Sequence, residues 1–216
     1  MMYQFHFLLH DVEPAIWRRL RICSDTTLAV LHIFLQIAFA WRGWSSHEFI
    51  IRGKRYGRDG FLETIQLSKF YLRLKERFEY QYGYEWRVQV RLESIIKPIT
   101  SPVCVAGARA GPSERPVTPN GYAYQIEHRE CPWDEQQLMI ETIAKFVDAQ
   151  PGQTVRDVIG DVEAFTDAVS RIRAYYHNDP ARFERRTLNQ RFRILANDDQ
   201  SWRDYDEYDD YDSRDD

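Results

Sequence analysis

The first half of the chain is written largely in period-two alternation, interrupted by one stretch of helical period. Residues 3–9 (Tyr-Gln-Phe-His-Phe-Leu-Leu) read as a β-strand, 11–14 as a turn, and 16–22 as a second strand. In that second strand Ile16, Leu20 and Ile22 share a face with Arg18. An inward guanidinium needs a partner, so a carboxylate such as Glu48 or Glu93 is expected beside it; the alternative is an arginine that snorkels from the strand end. Ser24 or Asp25 is the expected cap of a helix whose stripe is Leu28, Leu31, Leu35, Ala38 and Phe39, with His32 beside it. Residues 47–51 then read as a strand ending at Gly53.

Residues 70–93 form the clearest unit. Leu72, Leu74, Phe78 and Tyr80 alternate with Arg73, Lys75, Arg77 and Glu79, and after Gly83 the residues Trp86, Val88, Val90 and Leu92 alternate with Arg87, Gln89, Arg91 and Glu93. The two apolar faces coincide only if the connection holds an odd number of residues. A loop of Tyr82-Gly83-Tyr84 satisfies this, pairing Tyr80 with Trp86 inside and Glu79 with Arg87 outside. Arg73, Lys75, Arg77, Arg87 and Arg91 then share one exposed surface, which serves either solubility and edge protection or contact with nucleic acid.

Pro and Gly punctuate residues 98–121, which read as irregular. Helical periods follow. Asp134 with Gln137 forms an expected capping box, Thr154 with Asp157 begins a further helix that Gly160-Asp161 interrupts and Asn178-Asp179-Pro180 ends, and 188–195 reads as a last short helix. The expected architecture is α+β: an antiparallel sheet packed against helices over 1–130, a helical C-terminal part of the same domain over 131–196, and a disordered acidic tail over 197–216.

Charge sharpens the distinction between body and tail. The net charge of −4 combines a 197–216 segment with ten acids and two arginines, net −8, and a remainder with 23 acids and 27 bases, net +4. Such an acidic block is a solvated tail, or one that lies over a basic face and imitates nucleic acid. Three cysteines without CxxC spacing make a disulfide framework improbable. No apolar run approaches the length of a membrane span, and the N-terminus lacks a secretory pattern, so a cytoplasmic protein is expected.

Several motifs occur in a recognisable order: Trp17-Arg18-Arg19-Leu20, Leu31-His32, Ala38-Phe39-Ala40-Trp41, His47-Glu48-Phe49, residues 80–86 (Tyr-Gln-Tyr-Gly-Tyr-Glu-Trp), residues 102–110 and Asp179-Pro180-Ala181-Arg182-Phe183. Together they resemble the plasmid pRiA4b ORF-3-like family, of which the chain looks like a diverged member over about residues 3–195. The resemblance implies a compact α+β fold carried on plasmids, insertion elements and chromosomes, and no established reaction. It also implies polar residues where this chain has Gln81, Tyr84 and Val88 in the hairpin, a histidine where it has Ser45, and a cysteine where it has Gly111. Carboxylates, histidines and cysteines are metal ligands and acid–base groups, so these exchanges imply a degenerate polar site.

The chain has no phosphate-binding glycine loop, nucleophile elbow or HExxH motif, and no cofactor is expected. Three readings follow. The favoured one is a non-enzymatic accessory protein that contacts an unidentified protein partner through the hairpin tip, Tyr82, Tyr84 and Trp86. The second is a nucleic-acid-binding protein using Arg73, Lys75, Arg77, Arg87 and Arg91, regulated by the acidic tail. The third is a metal-assisted hydrolase or nuclease built on His32, His47, Glu93 and Cys104, with His128 and Cys131 as an additional pair.

Overall fold

A computed structural model of the chain describes residues 1–43, 45–57, 65–83, 85–97, 101–112, 118–177 and 179–197. The chain divides into two compact units, Met1–Ile126 with Pro180–Asp216, and Glu127–Asp179.

The first unit is a seven-stranded antiparallel sheet in the order β4-β3-β5-β6-β1-β2-β7, built from β1 (Met2–Leu9), β2 (Trp17–Cys23), β3 (His47–Ile51), β4 (Lys54–Gly57), β5 (Arg77–Tyr82), β6 (Trp86–Ile96) and β7 (Val103–Ala108). Alternation sends Phe5, Phe7, Leu20, Ile22, Phe49, Phe78, Tyr80, Val88, Val90 and Leu92 to one face, all fully or nearly fully buried. Each large side chain so buried contributes about 1.5–3 kcal/mol. Helix α1 (Leu28–Phe39) covers that face with Leu28, Leu31, Leu35, Ala38 and Phe39. Thr27, rather than Ser24 or Asp25, caps it by accepting from the Val30 amide, and Ala40 ends it in the left-handed region. Helices α2 (Pro119–Glu127) and α6 (Arg185–Asn197) follow β7 in this unit, and Phe192 of α6 packs edge-on against Phe34 of α1.

Three expectations change on contact with the sheet. The hairpin connection holds three residues, as parity requires, but they are 83–85; Tyr82 faces Trp86, Tyr80 faces Val88, and Glu79 faces Gln89. Second, β5 starts only at Arg77. Residues 67–70 form a 3-10 turn, Tyr71 and Lys75 take positive φ, and Leu74 is 58% exposed, so Arg73 and Lys75 leave the strand face. Third, residues 103–108, within the stretch expected to be irregular, form β7 on the sheet edge beside β2.

Arg18 is buried to 2% exposure without any carboxylate. Its Nε donates to the Ala38 carbonyl at 2.8 Å and its Nη1 to the Trp17 and Ala108 carbonyls, both at 2.8 Å. The guanidinium lies between the rings of Phe39 and Phe183, 5.3 and 4.3 Å from their centroids. Ala38 is among the last residues of α1, whose final carbonyls have no helical partner and carry the negative end of the helix dipole. A helix C-terminus and aromatic faces thus replace the expected Glu48 or Glu93. Burial pushes the Arg18 pKa down to about 10, which keeps it charged at neutral pH.

The second unit contains α3 (Trp133–Val147), α4 (Val155–Ile159) and α5 (Val162–His177). The Thr154–Asp157 capping box forms, and the chain breaks at Gly160-Asp161. The box expected at Asp134 does not form, because α3 begins two residues earlier than such a cap requires, behind Pro132, which has no side chain able to cap. Inside this unit Arg129 stacks on Tyr175, and Arg171 pairs with Glu135 at 2.9 Å.

Candidate nucleic-acid interface

The same alternation that fills the core sets the chemistry of the opposite sheet face. Outward positions carry Arg19 and Arg21 on β2, Arg55 on β4, Arg77 on β5, and Arg87 and Arg91 on β6, against Glu48, Glu79 and Glu93. Register aligns four of the basic residues in one row across the strands: Arg77 faces Arg91, Arg91 faces His6, and His6 faces Arg19. Neighbouring strands are about 4.8 Å apart, so the row is a ladder of cationic and imidazole groups at that spacing. Trp17 flanks it, its ring stacked on His6 at 5.3 Å and 27°, with the Arg19 guanidinium 5.4 Å above the indole.

Electrostatics within the row are only partly compensated. Arg19 and Arg91 both bind Glu93, at 2.5 and 3.1 Å, and Gln4 donates to the same carboxylate. Burial would raise the Glu93 pKa, but these donors hold it down to about 2. Arg77 has no ion-pair partner among the described residues, and it directly opposes Arg91, an arrangement that costs free energy in a sheet. His6 is lowered by burial and by Arg91 and Arg19, against the pull of Glu93. An anion beside Arg77 and His6 would offset both.

On the core face lies a different cluster. His32 and His47 stack at 3.5 Å and 10°. The Tyr80 hydroxyl is 2.7 Å from His32 Nδ1 and accepts from Gln36 Nε2 at 2.8 Å. Burial lowers the His47 pKa to about 4; burial and the neighbouring His47 lower His32 as well. Burial thus favours the neutral form of both rings at pH 7. Gln36 Oε1 is buried without a hydrogen-bond partner among the described residues. Tyr82 stacks on Trp41 at 4.8 Å and its hydroxyl accepts from the Ser45 amide.

Of the residues expected to hold a metal, only His32 and His47 come together. Glu93 is on the opposite sheet face, bound by Arg19 and Arg91. Cys104 is on β7, where its Sγ donates to the Ala106 carbonyl and Asn189 brackets its backbone; burial raises the thiol pKa, opposite to what a ligand or nucleophile needs. His128 and Cys131 lie in the second unit. Among the described residues no group of three or more His, Cys, Asp or Glu side chains is placed to hold a metal ion.

The expected protein-contact tip is corrected by burial. Tyr82 and Trp86 are 0% and 4% exposed and belong to the core; Tyr84 lies outside the described residues. Of the expected basic surface, Arg77, Arg87 and Arg91 share the outer face, whereas Arg73 and Lys75 do not. Gly111 also has a structural reason: a Cβ there would sit 1.8 Å from the Phe39 carbonyl oxygen, so the cysteine that the resemblance implies does not fit this backbone.

Sequence reading passed over His6, Trp17, Arg19 and Arg21. Their outward direction was available, since a strand that buries Leu20 and Ile22 must expose the residues between. Register across β5, β6, β1 and β2 was not, because within the row it joins His6 to Arg91, 85 positions apart in sequence.

The likeness to known proteins agrees with this architecture. The chain is similar to the crystal structure of a protein of unknown function from Methanosarcina mazei Go1, with 22% identity over 86% of this chain and 96% of that one and a TM-score of 0.59, a likeness of fold alone. No curated protein matches the chain. The model of the family described as plasmid pRiA4b ORF-3-like protein matches residues 1–151, and the chain therefore belongs to that family.

Proposed function

We propose that the protein is a non-enzymatic accessory factor that binds single-stranded nucleic acid on the outer face of its sheet. The observation that carries the reading is the Arg77–Arg91–His6–Arg19 row with Trp17 beside it. Cations track a phosphate backbone, and an aromatic ring on a sheet supplies a stacking platform that tolerates any base. A binding role is favoured over hydrolysis because burial holds the paired core histidines, His32 and His47, below the ordinary imidazole pKa, the buried Arg18 is tied to backbone carbonyls, and the one carboxylate in the basic row is held by two arginines. Among the described residues no helix is long and apolar enough to cross a membrane.

The test is fluorescence anisotropy with a labelled single-stranded oligonucleotide at low salt. Trp17→Ala should weaken binding by about five- to 160-fold, the usual worth of one base–aromatic stack. Deleting 198–216, which removes ten acids and two arginines, should tighten it by removing a competing polyanion. Unchanged affinity in the Trp17 variant would reject the face as the binding surface.

A further inference from the structure

At one end of the sheet, a hollow of about 740 Å³ is lined by Arg52, Tyr71, Arg73, Leu74, Lys75 and Glu76. Arg52 belongs to the turn joining β3 to β4, and the other five precede β5. We propose that this hollow binds a nucleotide unit, with Arg73 and Lys75 on its phosphate and Tyr71 against its base. The inference stands apart from the outer-face reading, because it uses none of the row residues.

Charge is the first argument. Glu76, the one carboxylate in the lining, is already committed: Arg52 binds it through Nε and Nη2 at 2.8 and 3.1 Å, and the Arg73 amide donates to it at 2.8 Å. These hydrogen bonds, led by Arg52, lower its pKa against the effect of burial, so it remains an anion already matched to its own cation. The Arg73 guanidinium acts on Glu76 only from beyond ion-pair distance, and neither Arg73 nor Lys75 forms an ion pair among the described residues, whereas Arg52 does.

The second argument is exposed apolar surface in the same place. Tyr71 is 81% and Leu74 58% exposed, although neighbouring Leu72 is buried. A tyrosine left in water beside uncompensated cations matches the two halves of a nucleotide, a ring to stack and a phosphate to bind.

Backbone conformation adds a third. Arg52, Tyr71 and Lys75 have φ of 52°, 49° and 67°, so three of the six non-glycine residues with positive φ among the described residues line this one hollow. Each such residue costs about 1–2 kcal/mol, and glycine would relieve it. The conformation is held by hydrogen bonds from the Lys75 amide to the Leu92 carbonyl and from the Leu92 amide to the Glu76 carbonyl. Arg52 takes this φ in the two-residue β3–β4 turn and Tyr71 at the end of the 3-10 turn, so these turns fix the backbone that lines the hollow.

A nucleotide unit has two sources, a free nucleotide or the phosphorylated end of a strand, and the test separates them. The full-length protein is titrated with AMP, with inorganic phosphate, and with one oligonucleotide bearing either a 5′-phosphate or a 5′-hydroxyl. The proposal expects AMP, the 5′-phosphorylated oligonucleotide, or both to bind at least tenfold more tightly than their partners, inorganic phosphate and the 5′-hydroxyl form. Arg73→Ala with Lys75→Asn should erase that preference, asparagine being chosen because it tolerates positive φ. Binding of the 5′-hydroxyl oligonucleotide should survive in that variant, since it belongs to the outer face, and Trp17→Ala should leave the preference intact. Inorganic phosphate binding as well as AMP with no preference for the 5′-phosphate, or a preference unchanged in the double variant, would overturn the proposal.

Discussion

Arg18→Ala is expected to lower the unfolding free energy by about 3–5 kcal/mol, a large part of the 5–15 kcal/mol available to a domain of this kind. The variant removes three charge-assisted hydrogen bonds, orphans the Ala38 carbonyl at the end of α1, and empties the space between Phe39 and Phe183. Against these losses stands one gain, since the chain no longer desolvates a cation. Arg18→Met separates the opposing effects. It refills the volume and sheds the charge, so its cost should be only about 1–2 kcal/mol. Urea midpoints at constant m-value measure both. An alanine variant within 1 kcal/mol of the parent would mean that the guanidinium does not join β2, β7 and α1.

Stability should also fall by about 2–3 kcal/mol between pH 6.5 and pH 4 on account of His47 alone. The unfolded imidazole titrates near 6.5 and the folded one at about 4, so in that window the unfolded chain binds the additional proton. The contribution is complete above pH 6.5 and is lost as pH drops towards 4. His32, lowered in the same direction, adds to the loss. Carboxylates held below their ordinary values, Glu93 and Glu76 among them, begin to lose their own contribution below about pH 5, as the unfolded carboxylates protonate, so the histidine is isolated by the difference between the parent and a His47 variant. His47→Phe keeps a ring on His32 and cannot take a proton, so its stability profile should be flatter between pH 6.5 and 4. A parent profile level across that range would contradict the buried, neutral pair.

Much of this fold was legible because two periods dominate the chain. Alternation gave β1, β2, β5 and β6 and the apolar stripe gave α1, since burial of one face is what selects each pattern. β7 was hidden by its small residues and bounding prolines: Val103, Cys104, Ala106 and Ala108 carry little alternation, and the strand exists because the edge of β2 needs a partner. The partner of Arg18 was invisible for a related reason. Side-chain types reveal carboxylates, whereas the three carbonyls that bind it are set by where α1 stops and where β2 meets β7. Of the site, His32 with His47 and the trio Arg77, Arg87 and Arg91 could be read in advance. The row could not, because it is made by register, and Arg73 and Lys75 were assigned to a strand that positive φ at Tyr71 and Lys75 prevents from starting there.

The most direct test of the account is the salt dependence of oligonucleotide binding by the full-length protein and by an Arg77→Ala/Arg19→Ala variant. For single strands, log K falls with log salt at about −0.7 per phosphate neutralised, so a row whose three arginines engage three phosphates predicts a slope of about −2. Losing two arginines should make that slope shallower by about 1.4. A slope near zero in the parent protein, or one that the variant leaves unchanged, would contradict nucleic-acid binding on this face.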